Sequence, residues 1–183
     1  MPVEAFREHW RTRHAALIAR LPGLRHYVQN YPVADGEALF DAVAESSFDD
    51  TQAMKALART PQYAAVLEDE PRFIDHASMG SVLTEERVLK DGAPGAGAVK
   101  EIRFVRRDAR VEVETFFQRF LEEGRRAAEL PGTLRYEQCH ARRSIYDSGR
   151  TPAYDGFAIR WLVAGSAVPP DRSSLVVTER VVL

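Results

Sequence analysis

The chain has 183 residues, 45% of them apolar and 28% charged, enough apolar material for a buried core in one domain or two small ones. Its 25 Lys and Arg against 27 Asp and Glu leave a net charge of −2, which argues against broad capture of nucleic acid or an anionic membrane. No run approaches the roughly 20 apolar residues of a membrane span, and the single cysteine, Cys139, excludes an internal disulfide and a cysteine-based zinc cage.

In chain order, the opening residues Met-Pro-Val-Glu-Ala-Phe-Arg-Glu-His-Trp are charged and amphipathic, without a signal-peptide apolar stretch, which predicts a cytoplasmic protein. Phe6, Trp10, Leu17 and Leu21 share one helical face, predicting a helix over 3–20 that Pro22-Gly23 stops. Arg25–Tyr31 alternates and is rich in aromatics, as a strand is, and Asp35-Gly36 marks a turn before a second strand over Phe40–Phe48. Asp49-Asp50-Thr51, ahead of Met54, Ala56 and Leu57, reads as a helix N-terminus. Pro61 restarts a helical stretch through about Leu67, and Val82–Leu89 reads as a strand. The small residues of Asp91–Ala98 form a linker, followed by a strand over Val99–Val105. Arg142-Arg143 with Arg150 reads as a basic loop.

The same phrases recur on either side of the linker. Val3-Glu4-Ala5-Phe6 is answered by Val113-Glu114-Thr115-Phe116. Leu21-Pro22-Gly23-Leu24-Arg25-His26-Tyr27 is answered by Leu130-Pro131-Gly132-Thr133-Leu134-Arg135-Tyr136. Phe40-Asp41-Ala42-Val43-Ala44 is answered by Tyr154-Asp155-Gly156-Phe157-Ala158, and Thr84-Glu85-Glu86-Arg87-Val88-Leu89 by Thr178-Glu179-Arg180-Val181-Val182-Leu183. The offset runs 110, 109, 114 and then 94. This order predicts a tandem duplication: a first repeat over 1–90 whose first strand is missing, a linker over 91–98, and a degenerate second repeat over 99–183 that lacks its middle helix. The expected fold class is α+β, with two ferredoxin-like repeats packing sheet to sheet as an α+β barrel.

Phe6-Arg7-Glu8-His9-Trp10-Arg11-Thr12-Arg13-His14, followed by Leu21-Pro22-Gly23-Leu24-Arg25-His26-Tyr27-Val28-Gln29-Asn30, resembles the EthD domain of the dimeric α+β barrel superfamily. Ala44–Asp50, Asp69-Glu70-Pro71-Arg72-Phe73-Ile74-Asp75 and Thr84-Glu85-Glu86-Arg87-Val88 look like its later blocks. The resemblance implies a small-molecule enzyme acting in a barrel cavity, of decarboxylase, isomerase or oxygenase type. Relatives in the superfamily also include haem proteins. The second repeat departs from the pattern, with Arg119, Phe120 and Gly124 where the first has His9, Trp10 and His14.

Among the residues, His14 lies four after Trp10 and leans to the same face, where an apolar setting makes an imidazole available as a base. His9, about 140° from His14 around a regular helix, cannot easily bind one metal together with it. Tyr27, Gln29 and Tyr31 share one strand face by period two, as do Tyr136, Gln138 and His140. Lining a barrel interior, those faces would orient a phenol or carbonyl. Glu45, in a small and apolar strand, is a candidate acid or base. The catalytic candidates are therefore His14, Tyr27 and Glu45. Trp10, Gln29, Tyr31, Tyr136, Gln138 and His140 are the candidates for substrate binding. No metal site and no cofactor is expected. The Asp75-His76 neighbours face each other only if folded together. Absence of a GxGxxG, a phosphate-loop lysine and an HExxH weakens nucleotide-cofactor and zinc-protease readings. The expected partners are a small-molecule substrate and a second copy of the chain in a homodimer, with no nucleic acid and no membrane. A non-catalytic binding or assembly module is the alternative, and a haem protein the third reading.

Overall fold

A computed structural model describes residues 1–33, 38–169 and 171–183. The expected Asp35-Gly36 turn lies outside them. In chain order the elements are α1 (Val3–His9), a π-helical turn (Trp10–His14), α2 (Ala15–Ile18), β1 (Leu24–Pro32), β2 (Val43–Phe48), α3 (Thr51–Ala56), α4 (Pro61–Asp69), β3 (Thr84–Lys90), β4 (Val99–Val105), α5 (Val113–Ala128), β5 (Thr133–Ala141), α6 (Arg143–Asp147), β6 (Gly156–Leu162) and β7 (Ser174–Val181). The protein is thus a mixture of helices and antiparallel strands, arranged in two compact units. The first holds Met1–Tyr31, Phe40–Met79 and Glu179–Leu183; the second holds Pro32–Leu39 and Gly80–Thr178.

In the first unit the predicted N-terminal helix is one continuous rod, but its middle turn is π-helical. There the Ala15 N–H reaches the Trp10 carbonyl five residues back instead of four. The chain leaves the rod through Gly23, at φ +77, where a Cβ would be strained. Strand β1 pairs antiparallel with β2, placing Val28 opposite Glu45 and Asn30 opposite Val43. The second strand was expected from Phe40, yet ladder pairing starts only at Val43, so Phe40–Ala42 stay outside it. On the other side of β1, the Tyr27 N–H donates to the Leu183 carbonyl at 3.1 Å and the Val182 N–H to the Tyr27 carbonyl at 2.9 Å.

Both following helices carry caps. The Asp50 carboxylate accepts from the Ala53 N–H at 2.7 Å, and the Thr60 hydroxyl accepts from the Tyr63 N–H at 3.2 Å, with Pro61 at the first helical position. Ala15, Leu21, Leu24, Tyr27, Leu57 and Val66 form the core between helices and strands.

The second unit has the strand order β7-β4-β6-β5-β3, with antiparallel pairing throughout. Helix α5 buries Phe117, Phe120, Gly124 and Ala128 along one stripe, and Phe120 and Ala128 pack on Tyr136 and Ala158. Strand β3, expected to close the sheet of residues 1–90, instead lies against β5, where Glu86 faces Cys139 and Arg87 faces Gln138. It covers what would be a bare edge of β5. The basic stretch read as a loop contains α6, starting at Arg143. Residues 91–98 carry neither helix nor strand, and no helix lies between β6 and β7 among the described residues. Among the same residues, no helix is long and apolar enough to cross a membrane.

Candidate functional site

The first unit gathers three cationic or imidazole side chains on one buried carboxylate. Asp69, the last residue of α4, is 1% exposed. His9 Nε2 lies 3.0 Å from both of its oxygens, His14 Nδ1 3.2 Å from Oδ2, and Arg13 Nε 2.8 Å from Oδ1. Burial pushes this carboxyl up, but the hydrogen bonds from His9 and His14, helped by their charge when protonated, outweigh it and leave it below its ordinary value. An ionised carboxylate only accepts, so each facing imidazole nitrogen donates. His14 therefore carries its proton on Nδ1 and presents a bare Nε2. Burial lowers the His14 pKa against the raising effect of Asp69, so the ring is neutral at pH 7.

The π turn brings His9 and His14 to one carboxylate, where on a regular helix the two diverge. Phe73 closes the cluster, its ring 4.7 Å from His9 and 4.9 Å from His14. His14 itself is 4% exposed, whereas the His9 side chain is 20% exposed and faces the outside. Asp69 went unselected in the sequence, where it sits among Glu68 and Glu70 like any solvated helix end. Its place four residues before Phe73, inside a block already matched to the EthD pattern, was the available signal.

Tyr27, Gln29 and Tyr31 do share a strand face, but it is the face the N-terminal helix covers, not an open barrel interior. The Gln29 amide donates from Nε2 to the Trp10 carbonyl at 2.8 Å and to the Tyr27 hydroxyl at 3.3 Å. Its Oε1 accepts from the Tyr31 hydroxyl at 2.8 Å and from Arg180 Nη1 at 3.0 Å. The Trp10 ring packs 5.0 Å from Tyr31 and 5.8 Å from Phe6. Tyr27 belongs to the core, and burial pushes its hydroxyl up to about 12. Glu45 lies on the other face of the sheet from these residues, where it accepts from the Asn30 amide at 2.7 Å. His76 faces Glu70 at 3.8 Å rather than Asp75, whose carboxylate accepts from the Ala77 N–H.

The second unit repeats part of this pattern. Gln138 donates to the Phe120 carbonyl at 2.6 Å, and His140 Nε2 approaches Gln138 Oε1 at 3.0 Å. His140 stacks on Phe117 at 5.2 Å, and burial, with Arg87 adding to it, lowers its pKa to about 4. Tyr136 is buried beside Phe120 in the unit's core. Here α5 is regular, and a Cβ on Gly124 would come within 2.3 Å of Gln138 Nε2. In the first unit Ala15, not His14, stands over the bonded carbonyl. By its place beside the bonded carbonyl, Gly124 resembles Ala15, one residue on from the His14 with which the sequence pairs it.

A groove of about 270 Å³, lined by Leu17, Arg20, Pro61, Gln62 and Ala65, runs along α2 and α4 in the first unit. Leu17 is three residues beyond His14 and Ala65 four before Asp69, while no residue of the cluster itself is among those lining the groove.

Residues 1–77 match the model of the EthD domain, and the match spans every member of the Asp69 cluster. No curated protein matches the chain. Among solved structures, a protein of Lactobacillus acidophilus NCFM provisionally named a monooxygenase is similar over 95% of this chain and 90% of its own, at 11% identity and a TM-score of 0.52. A likeness at that identity extends to the fold alone.

Proposed function

We propose, from the match of residues 1–77 to the EthD domain, that the first unit is a small-molecule enzyme that moves a proton with His14. The observation that carries this reading is the Asp69 carboxylate, which holds His14 in the tautomer with a bare Nε2. A carboxylate that orients an imidazole in this way is a recurrent arrangement for general bases. A neutral His14 would take a proton from a phenol or an enolisable carbonyl. The electron-rich oxyanion that results is common to isomerisation, decarboxylation and oxygenation of such compounds.

The groove along α2 and α4 suits an apolar or aromatic body, and Arg20 at its wall suits an anionic oxygen. Its volume of about 270 Å³ falls just below the roughly 300–1,000 Å³ that ligand pockets span, which suits a small ligand. In this reading Gln29 and Tyr31 support the helix that carries His14, Tyr27 is a core residue and Glu45 takes no part in proton transfer. The equivalent faces of the two units, with Gln29 on Trp10 and Gln138 on Phe120, support two ferredoxin-like repeats derived by duplication. The chemistry belongs to the first unit, because among the described residues a helix such as α4, carrying Asp69, lies only there.

The burial of His14 favours a second reading, a binding or assembly module in which the cluster is structural. One experiment separates the two. The full chain is titrated with a panel of small phenols and aromatic carboxylates, followed by amide NMR and by product analysis. Binding that shifts Leu17 and Ala65, with turnover abolished by His14→Gln and binding retained, is the expected result. Absence of any ligand, or equal turnover by the variant, would favour the module.

A further inference from the structure

The π turn is held from the strands at two of its carbonyls. Gln29 Nε2 donates to the Trp10 carbonyl at 2.8 Å, and Arg180 Nη1 donates to the Arg11 carbonyl at 3.0 Å. A helix widened in this way loses regular i→i+4 partners, and inserted side chains are a known way to supply them. Gln29 is fully buried, at 0% exposure. Its amide has one possible orientation: Arg180 can only donate, so the atom it meets must be Oε1, and the Nε2 group must face Trp10. Arg180 thus touches both the amide and the turn, joining the two supports.

The second unit supplies an internal comparison. Gln138 makes the same bond to Phe120, and His140 takes the place of Tyr31 on its Oε1. Yet α5 has no π turn, and Gly124 makes room for the amide. In the first unit, Ala15 occupies that small-residue place, and the extra residue of the wider turn sits on the outer side. His14, immediately before Ala15, is then held between the Ala15 N–H bond to the Trp10 carbonyl and its own contact with Asp69. The offset between the copies falls from 110 at Phe6 to 109 at Leu21, so the first copy holds one residue more between these points.

We propose that Gln29, braced by Arg180, is a positioning residue for His14, acting through the π turn. This rests on the reading of His14 as the base, but its test does not. Imidazole nitrogens are observed by long-range proton–nitrogen NMR on the full chain labelled at histidine, with His14 assigned through His14→Gln. Wild-type His14 is expected to show a protonated Nδ1 and a bare Nε2. Gln29→Glu keeps the side-chain shape and the contacts to Arg180 and Tyr31 but has no N–H for Trp10. It is expected to merge the two His14 nitrogen signals toward an averaged position. Gln138→Glu, the same change where no π turn exists, is expected to leave His14 as in wild type. Arg180→Met, at an exposed residue, is expected to move His14 in the direction of Gln29→Glu, and it decides the matter alone if the buried variant does not fold. An unchanged His14 pattern in folded Gln29→Glu, or in Arg180→Met, would overturn the proposal, as would an equal shift in Gln138→Glu. If the spectra change as expected while wild-type protein binds no ligand, the positioning role stands and the enzyme reading fails.

Discussion

Asp69 concentrates the chemistry of the first unit on a single residue. It is a buried anion whose neighbours are one guanidinium and two imidazoles, so its removal leaves donors facing each other without an acceptor. Asp69→Asn keeps the shape but halves the acceptor capacity and removes the charge. Hydrogen bonds to charged groups are worth roughly 1.5–3 kcal/mol, and Arg13 is well exposed, so the expected loss is about 2 kcal/mol, measured by denaturant unfolding at pH 7. None of this was legible residue by residue. His14 was singled out from its apolar face, but its partner lies 55 positions away at the end of another helix. Sequence spacing is silent on such a pairing. Tyr27 and Glu45 were selected by chemical type, and tertiary packing assigns them to the core and to the other sheet face.

At the scale of elements, two helices solve the same steric problem differently. Each must let a glutamine amide reach a carbonyl. Helix α5 does so with Gly124, and the N-terminal rod does so with a π turn and Ala15. Gly124→Ala is a test with an unusual sign. Helix propensity favours alanine by about 1 kcal/mol, yet the new Cβ would sit 2.3 Å from Gln138 Nε2 and 2.7 Å from Leu89 Cδ1. Net destabilisation of roughly 2 kcal/mol is expected from thermal or chemical unfolding, because overpacking and a lost buried hydrogen bond outweigh propensity. Asp50→Ala, which removes the cap on α3, is expected to cost about 1 kcal/mol in the same assay. The strands and helix starts were readable, since period, caps and Pro61 act locally: β4 coincides with the predicted Val99–Val105. The π turn is not readable from a 3.6-residue period, which has no place for a five-residue turn.

For the whole molecule, buried neutral histidines set the pH response. His14 and His140 are both held below their ordinary value by burial, the latter at about 4. An unfolded histidine protonates near 6.5, so below that pH the unfolded chain binds more protons than the folded one. Stability is therefore full above about pH 6.5 and falls as pH drops toward 4. His140 alone contributes a loss of roughly 2 kcal/mol between pH 7 and pH 5. Chemical unfolding at the two pH values checks this, and His140→Gln, which can still donate to Gln138, is expected to flatten the difference. The recurring phrases are legible in the sequence, but the pairing of β3 with β5 is not, because strand partners are chosen by available edges rather than by nearness in the chain.

Asp69 and burial together hold His14 as a neutral imidazole with a bare Nε2. The sharpest test is an NMR titration of His14 in wild type and in Asp69→Asn. Burial lowers the His14 pKa and Asp69 raises it, so removing the carboxylate leaves burial unopposed. The expected result is a wild-type midpoint below the ordinary histidine value, a Nδ1-protonated ring at pH 7, and a still lower midpoint in the variant. A His14 that carries its proton on Nε2, or whose midpoint is unmoved or raised in Asp69→Asn, would contradict the account.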